Sequence, residues 1–341
     1  MTNFRVQLMY KLQYSEFYIT NVCNLNCIGC NRFNNFAFKG HFKWADHAEQ
    51  YRQWSKLIDI KQIGILGGEP FLNKDLPNFI QGIAECWPNT EIVIITNGTQ
   101  FERNKHIYDL VKQYNGRIYI SVSCHNRDEL TPLLEQAENW LAPLKSKCLT
   151  YYKNTWANNY NAVKAPDWPP CDNPEDFVLL PEQIQQECLQ IHSLHPATEM
   201  IDENNVRLEF FVTNHFNNST LIFDESTKHI TLHKSNPEDA MNACSFKKCH
   251  HFINGKLYKC GPVGILPDFL EQFKVNATEE QQQLINNYQP AELDWNKERL
   301  DKFVDNLKKA EAIPQCSLCP AEVGYHLFKA STKKIKINQI D

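Results

Sequence analysis

The chain has 341 residues, of which 42% are hydrophobic and 22% charged, and its formal net charge is −5. That is the balance of an ordinary globular protein, and Lys and Arg are scattered rather than gathered into a nucleic-acid-binding stripe. The opening MTNFRVQLMYKLQY lacks the apolar core and cleavage site of a signal peptide, and no stretch of about 18 apolar residues spans a membrane.

A cytoplasmic protein with no nucleic-acid or membrane partner is therefore expected, either with one large core or with two domains of roughly 150 residues. Its thirteen cysteines are unevenly spread. In a reducing cytosol, clustered cysteines bind metal or do chemistry more often than they form disulfides.

Taken in order, Phe17–Val22 reads as a strand, followed by a cysteine-rich loop and a helix from about Trp44 to Ile58. Strands over Ile63–Leu66, Glu91–Thr96 and Arg117–Ser123 alternate with helices over Leu76–Cys86, Asn104–Tyr114 and Arg127–Leu144. Strands of β-branched residues separated by helical patterns predict βαβ units and a parallel sheet. Further strands are expected near Cys148–Lys153 and Val206–Val212, with an irregular Asn- and Pro-rich insertion over Asn154–Pro181 between them. Its Trp156, Tyr160 and Trp168 could stack on a substrate ring or simply pack the loop. The pattern shortens to small strands and a hairpin from about Leu221, which puts a domain boundary near residue 215.

Cys23-Asn-Leu-Asn-Cys27-Ile-Gly-Cys30 is the strongest signal. Three thiolates so spaced can hold three irons of a [4Fe–4S] cube and leave the fourth open, as an open catalytic zinc site leaves room for substrate. The spacing also suits one face of a helix, but Asn24, Asn26 and Gly29 are poor helix-interior residues. After the second predicted strand comes Gly67-Gly68-Glu69-Pro70, after the third Asn97-Gly98, and at the end of the fourth Ser121 and Ser123, which share one side of the strand.

This combination resembles the radical S-adenosylmethionine (SAM) superfamily. The resemblance covers roughly residues 15–215 and implies an α/β fold, a partial (β/α)6 TIM barrel, with its site at the carboxyl ends of the strands. It implies a SAM-binding [4Fe–4S] cluster on Cys23, Cys27 and Cys30. Gly67, Gly68, Glu69 and Pro70 would bind SAM, with the Glu69 carboxylate accepting from the methionyl ammonium and the glycines letting backbone approach the ligand. Asn97 would line the site, and Ser121 or Ser123 would bond a ribose hydroxyl. Gly29 departs from the aromatic residue that many members carry before the third cysteine, so adenine would be met there by backbone alone. Cys124 could return a hydrogen atom to a substrate radical, or pack at the strand end.

A second group follows. Cys249-His-His-Phe-Ile-Asn-Gly-Lys-Leu-Tyr-Lys-Cys260 carries the Asn-Gly hairpin signal, and pairing Ile253 with Lys256 sets Cys249 opposite Cys260. Directly opposed residues have Cβ atoms about 4.5–5.5 Å apart. Cys316-Ser-Leu-Cys319 adds a clip, which leaves a four-thiolate zinc, a disulfide or an iron–sulfur cluster open. Cys244-x10-Gly255-x4-Cys260 with the later clip resembles the SPASM/twitch extension, a β-hairpin and helix unit over 216–341. The resemblance implies a second, auxiliary [4Fe–4S] cluster on four of Cys244, Cys249, Cys260, Cys316 and Cys319. Cys86, Cys148 and Cys188 read as packing residues. Cys171 is unassigned, and His250 and His251 are weaker ligand candidates.

The resemblance implies reductive cleavage of SAM to a 5′-deoxyadenosyl radical, fed by a flavodoxin- or ferredoxin-like donor, and hydrogen abstraction from a substrate. The expected substrate is a sugar or sugar-nucleotide. Alternatives are a ribosomal peptide, disfavoured because only a short lead precedes the first strand, and a metal-stabilised binding protein without catalysis.

Overall fold

In the computed structural model the described residues are 10–27, 29–124, 130–153, 194–212, 215–217, 219–244, 246–322, 325–327 and 333–337. The insertion expected over 154–181, with Trp156, Tyr160, Trp168 and Cys171, lies outside them, as does Cys188.

The first half alternates as its hydrophobic periods predict. Strands β1 (Tyr10–Tyr18), β2 (Ile58–Leu66), β3 (Glu91–Thr96) and β4 (Ile118–Cys124) are separated by helices α1 (Trp44–Leu57), α2 (Leu76–Cys86) and α3 (Lys105–Val111). Helix α4 (Leu130–Trp140) leads to β5 (Leu144–Lys153), then come β6 (Leu194–Asp202) and β7 (Arg207–Val212). Beyond lie short strands β8 (His215–Asn217), β9 (Leu221–Phe223) and β10 (Ile230–Leu232), then helix α5 (Pro237–Ala243). The hairpin β11 (His250–Ile253) and β12 (Lys256–Tyr258) feeds helices α6 (Gly261–Gln272), α7 (Glu279–Asn286) and α8 (Lys297–Lys309), and β13 (Tyr325–Leu327) pairs with β8.

Nine strands make one sheet, in the order β12-β11-β1-β2-β3-β4-β7-β6-β5. From β11 through β7 all neighbours run parallel, while β12, β6 and β5 are antiparallel additions at the two ends. The end strands β12 and β5 do not pair with each other, so the sheet is a partial barrel and stays open.

Three features differ from the sequence reading. Strand β1 starts at Tyr10 rather than Phe17, because polar Tyr14 and Glu16 face a wall of the sheet that is itself polar. The fifth strand of the parallel run is β7, while β5 pairs with an unforeseen β6 whose Pro, His, Glu and Asp hide its strand character. The sixth strand is β11, which comes from the C-terminal hairpin and docks beside β1.

The two faces of the sheet separate cleanly. Phe17, Ile63, Ile65, Ile92, Ile94, Ile118, Ile120, Val122, Leu208 and Phe210 are buried in one apolar cluster with the inner stripes of the helices. Helix α1 contributes Trp44, Ala48, Tyr51 and Trp54, spaced at about one turn. The other face carries Tyr14, Glu16, Gln62, Glu91, Tyr119, Ser121 and Glu209 in adjoining registers. On it Gln62 Nε2 donates to Glu91 at 2.8 Å and to the Tyr119 hydroxyl at 3.0 Å. The hairpin is tied in by Phe17 stacking on Phe252, with ring centroids 4.8 Å apart, and by Trp54 Nε1 donating to Gly255 O at 2.8 Å.

Candidate functional site

The first three parallel strands end in three loops that lock onto one another. Gly68 N donates to Thr20 O at 2.7 Å and Glu69 N to Val22 O at 2.8 Å. A Cβ on Gly67 would lie 2.6 Å from Thr20 O, and one on Gly68 only 2.2 Å from Val22 O. The glycines therefore admit the backbone of the cysteine loop, a nearer need than the ligand approach that the sequence suggested.

Glu69 is fully buried and caps the 3-10 turn Pro70–Leu72. Its Oε1 accepts from Phe71 N at 3.0 Å and Thr96 Oγ1 at 2.6 Å, and its Oε2 accepts from Asn97 N at 2.8 Å. Burial pushes its carboxyl up to about 7, against the pull of those three bonds. So placed, it braces the ends of β2 and β3.

Asn97 completes the lock. Its Nδ2 donates to Asn24 Oδ1 at 2.9 Å and lies 4.0 Å from Cys23 Sγ. Cys23 Sγ also accepts from Leu25 N at 3.4 Å, and burial pushes its thiol up to about 12, with Glu69 adding to the effect. Cys30 Sγ lies 3.7 Å from Asn34 Oδ1. The loop is no helix: Gly29 turns it with φ +76°, a left-handed value that glycine adopts freely. Lys334, from the far end of the chain, donates to Leu25 O and, at 2.6 Å, to Asn34 O. Burial lowers its pKa, while Cys23, Cys30 and Cys27 pull it up.

Ser121 and Ser123 share the polar face, Ser121 buried opposite Glu209 and Ser123 half-buried opposite Phe211. Cys124 points the other way. It is fully buried in the apolar cluster beneath the helices, so it packs the core and does not reach the face where a substrate radical would sit.

The second set assembles as the hairpin predicts, with His251, Phe252 and Ile253 opposite Tyr258, Leu257 and Lys256. Asn254 and Gly255 have φ of 49° and 73°, the paired positive angles of a tight hairpin turn. Cys260 sits at the N-cap of α6, Cys316 lies within the 3-10 turn Pro314–Leu318, and Cys319 is its C-cap. Phe246 N donates to Cys244 Sγ at 3.3 Å and Ile313 N to Cys316 Sγ at 3.5 Å, while Thr220 Oγ1 lies 3.5 Å from Cys319 Sγ. Burial and the charges of Cys319, Cys244 and Cys316 push the Cys260 thiol up. Burial and the charges of Glu16, Cys244 and Cys260 do so for Cys249. Buried Lys259 stands beside Cys316, Cys260 and Cys244, and its ammonium donates to Asn306 Oδ1 at 2.6 Å.

Both sets suit iron–sulfur ligation. None of the eight thiols is in a disulfide, three accept backbone N–H bonds, and half-buried Lys334 and buried Lys259 offset anionic charge at the two sets. Among the described residues no three His, Cys, Asp or Glu side chains converge as they would about a single metal ion. His250 Nδ1 lies 2.8 Å from Lys259 O, and His251 faces Glu16 at 2.7 Å and Cys249 O at 3.2 Å. Neither ring needs a metal partner. Sequence reasoning missed Asn24, Lys259 and Lys334, whose partners lie too far along the chain for spacing to reveal them.

Residues 17–140 match the Radical SAM superfamily. This is a radical SAM domain. The domain is similar to the GTP 3′,8-cyclase of Nautilia profundicola, 30% identical over 90 residues that cover 26% of this chain and 28% of that one. A probable GTP 3′,8-cyclase of Methanococcus vannielii is 33% identical over 108 residues, 32% of this chain and 35% of the relative. The chain thus spans about a third of the length of the curated relatives it matches. A crystal structure of Streptococcus suis SuiB bound to S-adenosylmethionine overlaps 75% of this chain and 62% of its own at 14% identity. Its TM-score of 0.31 is too low to bear on activity. The superfamily implies an enzyme that uses a [4Fe–4S] cluster and SAM and needs a reductant and a substrate. Among the described residues no helix is long and apolar enough to cross a membrane.

Proposed function

We propose that this radical SAM enzyme carries two iron–sulfur centres and abstracts hydrogen from a hydroxyl-rich small molecule of the sugar or sugar-nucleotide class. Cys23, Cys27 and Cys30 would hold the first centre. Cys244, Cys260, Cys316 and Cys319 would hold the second, in a twitch-like unit beginning near residue 216. Cys249 is left beside them, because the Cys244 spacing matches the twitch pattern and the second set needs four ligands. The observation that carries the reading is the three-loop lock: Glu69 and Asn97 fix the Cys23 loop against the ends of β2 and β3.

When bound, the cluster and SAM would together supply a 5′-deoxyadenosyl radical, while the chain positions the substrate and excludes competitors. Half-buried Gly67 and Gly68 offer backbone to the methionyl end of SAM, and Pro70 starts the turn that Glu69 caps. Ser123, more open than Ser121, is the better partner for a ribose hydroxyl. Gly29 offers backbone to adenine.

The polar wall of the sheet supports the substrate class. Half-buried Tyr14, Gln62 and Ser123 bring hydroxyl and amide groups suited to hydroxyls. The relatives' name, GTP 3′,8-cyclase, favours a nucleotide within that class. A flavodoxin- or ferredoxin-like protein would supply the electron, in a reducing cytoplasm where the seven ligand thiols stay out of disulfides.

The test is anaerobic turnover with dithionite, SAM and uniformly deuterated sugars, sugar-nucleotides or GTP, with a deuterated peptide as the contrast. Deuterium in 5′-deoxyadenosine from one of the first three supports the reading. Transfer from the peptide alone overturns the substrate class, and no SAM cleavage under any condition overturns the activity.

A further inference from the structure

Arg32 follows Cys30 by two residues, yet its guanidinium belongs to the other end of the molecule as well. Its Nη2 donates to Glu16 Oε2 at 2.8 Å and stands 3.5 Å from His251 Nε2, on the strand that begins just after Cys249. Its charge lies 5.6 Å from the centroid of the Phe246 ring, in the segment between Cys244 and Cys249. His251 reaches Glu16 at 2.7 Å and packs so closely under the second set that a Cβ on Gly261, next to Cys260, would lie 2.7 Å from its Nε2. Glu16 is 1% exposed and also accepts from the Tyr14 hydroxyl at 3.0 Å. Although burial pushes its carboxyl upward, His251 and Arg32 hold it down at about 2. Phe246, on which the guanidinium lies, in turn donates its backbone N–H to Cys244 Sγ at 3.3 Å.

An arginine is charged at every accessible pH, and a buried charge is felt strongly because little water screens it. A cation fixed near an iron–sulfur centre stabilises the more negative, reduced state and so raises its potential. Glu16 fixes this one by an ion pair that neither loop could make alone. We propose that Arg32, locked by Glu16 on β1, is a positioning residue and a cation shared by the two iron–sulfur centres, setting the reduction potential of both. It rests on the two-centre reading above.

The test is a redox titration of the full-length, reconstituted protein followed by electron paramagnetic resonance, with iron measured on the same samples. In R32Q both midpoints are expected to move to more negative values at unchanged iron content, whereas R32K, which keeps the charge, moves them much less. R32M, which removes the charge and keeps an apolar stem, is expected to move both midpoints the same way as R32Q, and it serves if R32Q does not hold its iron. About eight irons per chain with unmoved midpoints in R32Q or R32M overturns the shared cation alone. About four irons in the wild-type chain overturns the two-centre reading and the sharing with it.

Discussion

Glu69 is surrounded by three donors, yet loss of water outweighs them and leaves its carboxyl at about 7. An acid raised above its ordinary value of 4.5 by folding is preferred protonated in the native chain. Its contribution to stability is complete below about 4.5 and is lost as pH rises through about 7. Denaturant midpoints of the iron-free chain should show the wild-type advantage over E69Q shrinking from pH 5 to 8, at most about 1.4 kcal/mol per pH unit. An advantage independent of pH would mean that Glu69 titrates normally. The same substitution sets an amide N–H against Asn97 N or a second donor, which costs about 1–3 kcal/mol and loosens the cysteine loop. Cys124 gives the opposite kind of prediction. Fully buried among aliphatic side chains, it should cost about 1–2 kcal/mol of stability on replacement by alanine and leave hydrogen transfer intact. Turnover abolished in a folded C124A protein would restore it as a hydrogen donor.

Elements were legible where their pattern is local. Ile63–Leu66 and Glu91–Thr96 announce strands by β-branched runs, and Asn254-Gly255 announces a hairpin whose register then follows by counting. Leu194–Asp202 was not legible, since nothing in its Pro, His and Glu content alternates like a half-buried strand. Nor was the docking of β11 beside β1, because partners such as Ser15 and His250 are joined by no local signal. The same limit hid the contacts of His251 with Glu16 and Arg32, which that docking creates. Within the second set, spacing favours Cys244 and hairpin geometry favours Cys249, and the proposal takes Cys244. Iron analysis should find about eight irons in C249S and about four in C244S; the reverse pattern would reassign the fourth ligand. On the first set, G68A forces a Cβ to 2.2 Å from Val22 O, so the loop must shift and SAM binding should fall more than tenfold in equilibrium dialysis.

The molecule as a whole depends on its C-terminal hairpin more than a boundary near residue 215 would suggest. Phe252 stacks on Phe17, and β11 covers the edge of β1, so a fragment ending at 215 exposes a strand edge and an aromatic core. Such a fragment should precipitate or bind hydrophobic dye, and a soluble fragment with a sharp thermal transition would show that the first half folds alone. The central claim is narrower: three thiols at the end of β1 hold a cluster with one iron open to SAM. It is tested most directly in the dithionite-reduced C316A/C319A protein, which isolates that cluster, by recording its electron paramagnetic resonance spectrum with and without SAM. The account predicts a single [4Fe–4S] signal whose g-values shift when SAM is added. A spectrum that SAM leaves unchanged, or a signal that survives replacement of Cys23, Cys27 and Cys30 by alanine, would contradict it.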